Sequence, residues 1–250
     1  MIDTGIQSRL ERLRRDISEE ADALGLDHTA WGLIAVSKTK SIEAVAQAWN
    51  AGQRDFGENY VQEGVEKIAQ AQAMGIEACW HFIGPLQSNK TREVAEHFDW
   101  VHSLDRFKIA LRLSDQRPPE LPPMRTCIQV NISGEASKSG VSLEALPDLC
   151  AQVEELSRRE GRIELCGLMA IPEAIGETAP QLSPTEQLHR QTQVFRQLSQ
   201  ALEALSIRHA FRMPCLSMGM SEDWRAALRA TPPGVQTWLR IGTAIFGSRS

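Results

Sequence analysis

The stretch W-G-L-I-A-V-S, Trp31–Ser37, decides the architecture. It carries no charge before Lys38. A short continuous apolar run of this kind is a strand buried on both faces, which is the pattern of a parallel sheet. Upstream, Leu10–Leu26 sets Leu10, Leu13, Ile17 and Leu24 against a charged face, the period of an amphipathic helix. Downstream, a helix opens at Ser41, whose hydroxyl can cap it, while Glu43 suits the positive N-terminal end.

The same alternation then runs along the chain. Further strands are expected at Arg54–Gly57, Cys79–Gly84, Trp100–Leu104, Arg125–Ile132, Ile163–Ile171, Met213–Ser217 and Thr237–Ile241. Helical periods fall at Tyr60–Ala73, Ser88–His97, Asp105–Ser114, Leu143–Arg159, Thr185–Leu205 and Glu222–Ala230. Eight strands, the first seven each followed by a helix, predict an α/β fold: a single (β/α)₈ TIM-type barrel with an extra N-terminal helix. An open doubly wound sheet is the alternative, because periodicity does not reveal closure. The proline-rich stretches Gln116–Met124, Pro172–Pro184 and Thr231–Gly234 lie between elements and read as loops. None separates segments of different composition, so residues 1–250 are expected to form one domain.

Composition narrows the function. A chain of 250 residues buries enough surface to need neither metal nor disulfide. With 27 Lys and Arg against 32 Asp and Glu, its net charge of −5 argues against a general nucleic-acid or anionic-membrane surface. The longest uncharged stretch, Ala78–Asn89, falls well short of the roughly 20 residues that span a bilayer. Met1–Glu11 lacks the apolar core of a secretory signal. Five cysteines without C-x-x-C spacing, mostly in apolar runs, read as buried free thiols of a reducing compartment, and the protein is expected to be cytoplasmic.

In a parallel barrel, chemistry gathers where strands end and loops begin. Lys38 stands there, its stem anchored on a buried strand, with Lys40 expected on the same side if the strand continues. An amine beside another cation and apolar walls has the lowered pKa that Schiff-base chemistry requires, although a lysine snorkelling at a strand end is the plainer reading of the residue alone. L-S-M-G-M-S, Leu216–Ser221, leads from a strand into a helix expected to start near Ser221, and the hydroxyls of Ser217 and Ser221 with free backbone N–H groups would make a phosphate cradle. R-I-G-T, Arg240–Thr243, follows the last strand: Gly242 permits close backbone approach and Thr243 adds a hydroxyl. Strands seven and eight are the usual phosphate-binding quarter of such barrels. There is no Walker loop, Rossmann fingerprint or G-x-S-x-G elbow, and His81, His97 and His102 lack metal-ligand spacing.

These residues carry a resemblance. A-V-S-K-T-K (Ala35–Lys40), G-Q-R-D-F-G-E-N-Y-V-Q-E (Gly52–Glu63), H-F-I-G-P-L-Q-S-N-K (His81–Lys90), Q-V-N-I-S-G-E-A-S-K-S-G (Gln129–Gly140), G-L-M-A-I (Gly167–Ile171), L-S-M-G-M-S-E-D (Leu216–Asp223) and R-I-G-T-A-I-F-G (Arg240–Gly247) occur in family order over nearly the whole chain. Together they resemble the pyridoxal phosphate homeostasis protein family, pyridoxal-phosphate-binding proteins related to the barrel domain of alanine racemase. The resemblance implies a Schiff base between Lys38 and pyridoxal 5′-phosphate. It implies phosphate contacts from Ser217, Gly242 and Thr243, with Asn59 beside the cofactor ring and Arg240 facing the pyridine nitrogen. It also implies a monomeric carrier, buffer or regulator without established turnover, with enzymes that use the cofactor as candidate clients.

Chemistry supports the carrier over its alternative, a minimal racemase or lyase for amino acids. A guanidinium has no acceptor, so it cannot hold a proton on the ring nitrogen, and without that proton the cofactor is a weaker electron sink. Racemisation also needs a second base opposite Lys38, and Tyr60 is the only tyrosine. One departure from the family pattern is R-A-T-P-P-G-V-Q-T-W-L-R, Arg229–Arg240, one residue longer and with two prolines, which is expected at the strand end remote from Arg240.

Overall fold

In this computed structural model, residues 5–133, 139–172, 181–209 and 212–247 are described. An N-terminal helix, α1 (Ile6–Ala23), precedes a closed ring of eight parallel strands. The elements follow in order as β1 (Trp31–Val36), α2 (Ile42–Asn50), β2 (Asp55–Glu58), α3 (Val61–Ala73), β3 (Cys79–Phe82), α4 (Thr91–His97), β4 (Trp100–Leu104), α5 (Phe107–Gln116) and β5 (Met124–Gln129). Then come α6 (Leu146–Glu160), β6 (Ile163–Met169), α7 (Pro184–His209), β7 (Cys215–Ser217), α8 (Trp224–Arg229), β8 (Gln236–Ile241) and a last turn, α9 (Thr243–Phe246). The barrel closes through β1 and β8, paired in register from Trp31↔Thr237 to Ala35↔Ile241. That pairing excludes the open sheet.

The expected elements are all present, with shifted ends. β6 stops at Met169, two residues before the expected Ile171, and β7 begins at Cys215 rather than Met213. Ser41 does occupy the N-cap of α2, but its side chain makes no capping bond there. Its hydroxyl instead bonds the Glu43 carboxylate, which lowers that acid's pKa.

Apolar packing divides into two clusters. The larger one lies between strands and helices and includes Phe56, Phe82, Phe98, Leu104, Ile109 and Phe195, all fully buried. A second cluster gathers Trp100, Cys127, Cys166, Met169 and Cys215, with Cys79 and Trp238 packed against it. The cysteines are free, four of them buried, so they act as packing. Gly32 is required by this filling, since a Cβ there would lie 2.5 Å from the Trp238 ring. α1 docks by its apolar stripe, while Arg9 Nε donates to Ile245 O at 2.7 Å and Arg14 donates to Ala51 O at 2.9 Å. Among the described residues, no helix is long and apolar enough to cross a membrane.

The proline-rich segment at 172–184 falls largely on residues 173–180, outside the described residues. The same holds for 134–138 within the motif that begins at Gln129. The T-P-P-G turn joins α8 to the start of β8, so it does lie at the end of that strand opposite Arg240.

Candidate functional site

A cavity of about 440 Å³ lies at the C-terminal mouth of the barrel. Five of the six residues that the family resemblance assigns to the cofactor line it: Lys38, Asn59, Arg240, Gly242 and Thr243. They arrive from β1, β2 and β8, so closure of the ring brings together positions about 200 apart in the chain.

Lys38 sits on a turn that a buried ionic cluster fixes. β1 ends at Val36, and Thr39 adopts φ +61°, a left-handed conformation costly for a β-branched residue. Lys67 of α3 donates its ammonium to Ser37 O at 2.8 Å, to Glu58 Oε1 at 2.6 Å and to Glu63 Oε1 at 2.9 Å. Ser37 Oγ donates to Glu58 Oε1 at 2.6 Å, and Thr39 N donates to Glu63 Oε1 at 2.5 Å. Glu58 is fully buried and Lys67 is 5% exposed. Burial raises the Glu58 carboxyl above its ordinary pKa, and Lys67 pulls it back. The backbone on both sides of Lys38 is therefore held from below.

The turn also corrects one expectation. Lys40 does not share the cavity with Lys38: it lines a separate groove with Ser41, Glu43 and Lys67, and its Nζ donates to Gly247 O at 3.3 Å. The strand does not continue past Val36, so the alternation that would place both amines on one side is lost.

Asn59 follows β2, and its Oδ1 is buried without a hydrogen-bond partner among the described residues. The loop after β3 packs so closely here that a Cβ on Gly84 would lie 2.0 Å from Asn59 O, which explains the glycine in I-G-P. Arg240 is 3% exposed, with Nη2 donating to Ala170 O at 3.0 Å and Nη1 donating to Ser217 Oγ at 2.7 Å. Burial pushes its pKa down to about 10 while Asp223 draws it up, so the guanidinium stays charged at neutral pH. Asp223, 8% exposed, is itself raised by burial and accepts from Met220 N at 2.5 Å.

Ser217 is the residue that the structure does not bring to the cavity wall. It is fully buried behind Arg240, with its hydroxyl shared between that guanidinium and His102 Nδ1 at 2.7 Å. Ser221, the other hydroxyl of L-S-M-G-M-S, does line the cavity. The reason is local: Gly219, at φ +87°, turns the chain between them, and α8 starts at Trp224 with Asp223 at its N-cap, later than expected. Gly242 caps the short α9 turn, whose first amides have no helical acceptor.

Sequence reasoning missed other wall residues. Ile171 and Pro172 follow β6, and Gln191 reaches in from α7. Ile171 and Pro172 lay at an expected strand end without being given a role there, and nothing in the local pattern marks Gln191, which becomes relevant only once α7 is set against the mouth. Tyr60 is 56% exposed and does not line the cavity.

The family model of the alanine racemase N-terminal domain matches residues 9–250. The pyridoxal phosphate homeostasis protein of Escherichia coli (strain K12) is 50% identical over 245 residues, covering 98% of this chain and 97% of that protein. The protein of the same name from Pseudomonas aeruginosa is 48% identical over 244 residues, covering 98% and 96%. Among solved structures, PipY of Synechococcus elongatus PCC7942 with pyridoxal phosphate bound matches with a TM-score of 0.76 and 33% identity, over 97% of this chain and 100% of that one. Alanine racemase from Corynebacterium glutamicum, at 17% identity and a TM-score of 0.57, is covered over 61% of its length and shares the fold.

Proposed function

Because the chain belongs to the alanine racemase N-terminal-domain family, and within it to the pyridoxal phosphate homeostasis proteins, we propose that it binds pyridoxal 5′-phosphate on Lys38 and serves in intracellular homeostasis of that cofactor. When bound, pyridoxal phosphate supplies an aldehyde that condenses reversibly with an amine. The single observation that carries the reading is the convergence of Lys38, Asn59, Arg240, Gly242 and Thr243 on one cavity.

The chemistry of the wall fits such a ligand. The unpartnered Asn59 Oδ1 is an orphaned buried acceptor, which costs about 1–3 kcal/mol unless a ligand group satisfies it. Lys38 offers the amine. Gly242, Thr243 and Ser221, with the first amides of α9, offer hydroxyl and N–H donors to an anionic group. Arg240 would present a donor-only cation to the ring nitrogen of a bound cofactor, which would leave that nitrogen unprotonated. Ser217 acts from behind, holding Arg240.

Carrier or buffer is the role that these residues favour over turnover. The tyrosine that the enzyme reading would use as its second base, Tyr60, is not on the wall. On this reading the protein is a monomeric cytoplasmic carrier, and enzymes that use the cofactor are its candidate clients. Incubation with pyridoxal phosphate should give a visible chromophore, and borohydride reduction with peptide mapping should fix a pyridoxyl group on Lys38. Lys38→Ala should abolish the chromophore and Lys40→Ala should retain it. A yellow Lys38→Ala protein overturns the assignment. Exchange of an amino acid's α-proton with deuterated water, slowed in Tyr60→Phe, would establish the enzyme instead.

A further inference from the structure

Beneath the cavity, four hydrogen bonds run in series through the barrel interior. Arg240 Nη1 meets Ser217 Oγ at 2.7 Å, Ser217 Oγ meets His102 Nδ1 at 2.7 Å, His102 Nε2 meets His81 Nδ1 at 2.9 Å, and His81 Nε2 meets Asp55 Oδ1 at 3.0 Å. Ser217, His102 and His81 are fully buried, while the Asp55 side chain, at the start of β2 and so at the opposite mouth, is 26% exposed. The rings are held in place by stacking: His81 lies on Trp100 at 5.5 Å and 12° and against Trp238 at 5.3 Å.

Only one arrangement of protons satisfies every link. A guanidinium only donates and an ionised carboxylate only accepts. At the Asp55 end, His81 must therefore carry its proton on Nε2, which leaves Nδ1 of the neutral ring to accept from His102 Nε2–H. His102 Nδ1 then accepts from the Ser217 hydroxyl, whose lone pairs receive Arg240. The opposite tautomers would set a lone pair of His81 against the carboxylate and leave the Ser217 proton without an acceptor in the chain. Burial lowers the pKa of both histidines, which keeps the rings neutral at ordinary pH. Bonds aligned head to tail polarise one another in a dry interior.

We infer that Arg240→Ser217→His102→His81→Asp55 is a one-way hydrogen-bond chain that positions the Arg240 guanidinium, making His102, His81 and Asp55 positioning residues for a ligand none of them touches. The consequence for the ligand rests on the reading of Arg240 as facing the cofactor ring. The proton arrangement does not rest on it. Ser217 thus belongs to the ligand site by way of Arg240, and the far mouth of the barrel is joined to the near one by polar links rather than by packing alone.

The test uses the full chain in two measurements. ¹⁵N-histidine spectra of protein without added ligand, assigned with His81→Gln and His102→Gln, should show both rings as neutral Nε2–H tautomers. A Nδ1–H tautomer at either ring overturns the chain whether or not the protein binds pyridoxal phosphate. Next, pyridoxal phosphate is titrated into the parent, Ser217→Ala, His102→Gln and Asp55→Asn, following the visible spectrum and dissociation constant. Each variant should shift the absorption band. Ser217→Ala and His102→Gln should weaken binding about tenfold, the value of a hydrogen bond to a charged group. Asp55→Asn, at a partly exposed position, should act in the same direction by less. A His102→Gln protein that melts at lower temperature yet keeps the parent's spectrum and affinity within about twofold would make the network structural only and overturn the positioning role. A parent without a chromophore would fail the cofactor reading and leave the tautomer result standing.

Discussion

Replacing Lys67 by methionine leaves the Glu58 carboxylate buried without its cation. Glu58 is fully enclosed, Lys67 is 5% exposed, and their 2.6 Å contact is the closest charge pairing beneath the Lys38 turn. Methionine retains the hydrophobic stem but removes three donated bonds, to Ser37 O, Glu58 and Glu63. Breaking a buried pair from one side costs about 3–5 kcal/mol, a large share of the roughly 5–15 kcal/mol that holds a domain. Because burial already raises the Glu58 pKa, its ionisation works against the fold, and that penalty is relieved as pH falls through the raised value. Removing Lys67 raises it further, so the variant's deficit should be large at neutral pH and should shrink on acidification toward the ordinary carboxylate range. Urea unfolding followed by tryptophan fluorescence at about pH 7 and about pH 5 measures both. Glu58→Gln in the Lys67→Met background should recover most of the loss. A single-variant loss below about 1 kcal/mol at neutral pH, or a deficit that grows with acid, refutes the account.

Three further outcomes are expected. Gly32→Ala drives a Cβ to 2.5 Å from the Trp238 ring and should cost about 1–3 kcal/mol in thermal or urea unfolding; an unchanged midpoint would mean that the interior yields freely. Arg117 donates to Ala95 O, Phe98 O and Pro122 O from a 4% exposed position, so Arg117→Leu should destabilise by roughly 2–4 kcal/mol and speed amide exchange at Phe98 and Leu121; unchanged exchange there counts against this clamp. Burial pushes the Cys150 thiol up to about 12, burial likewise raises Cys79 and Cys166, and a hydrogen bond with Cys215 raises Cys127. The folded protein should accordingly resist a thiol reagent at neutral pH and react fully in urea, and rapid labelling before unfolding would contradict the burial.

Much of the fold was legible because strands buried on both faces leave long uncharged runs such as Trp31–Ser37, and because βα repeats admit few topologies. Lys38, Gly242 and Thr243 were legible from their place at strand ends, where a parallel barrel concentrates its chemistry, while the roles of Asn59 and Arg240 came from the family resemblance. Lys67 was not: with Glu63 four residues earlier it reads as an exposed helical ion pair, and only packing of α3 against the end of β1 turns that pair inward. Local pattern alone treats Ser217 and Ser221 of L-S-M-G-M-S alike and the resemblance favours Ser217, yet with Gly219 at positive φ between them the Ser217 hydroxyl lies behind Arg240 and Ser221 stands on the wall. The sequence alone determined which segments are strands, since alternation and apolar runs are local properties carried by each stretch of chain. Closure of the barrel, the loss of Lys40 from the cavity and the line of contacts from Arg240 to Asp55 were decided by tertiary structure alone. Each depends on which strands become neighbours and in what register, and those are distances between residues that no local pattern encodes.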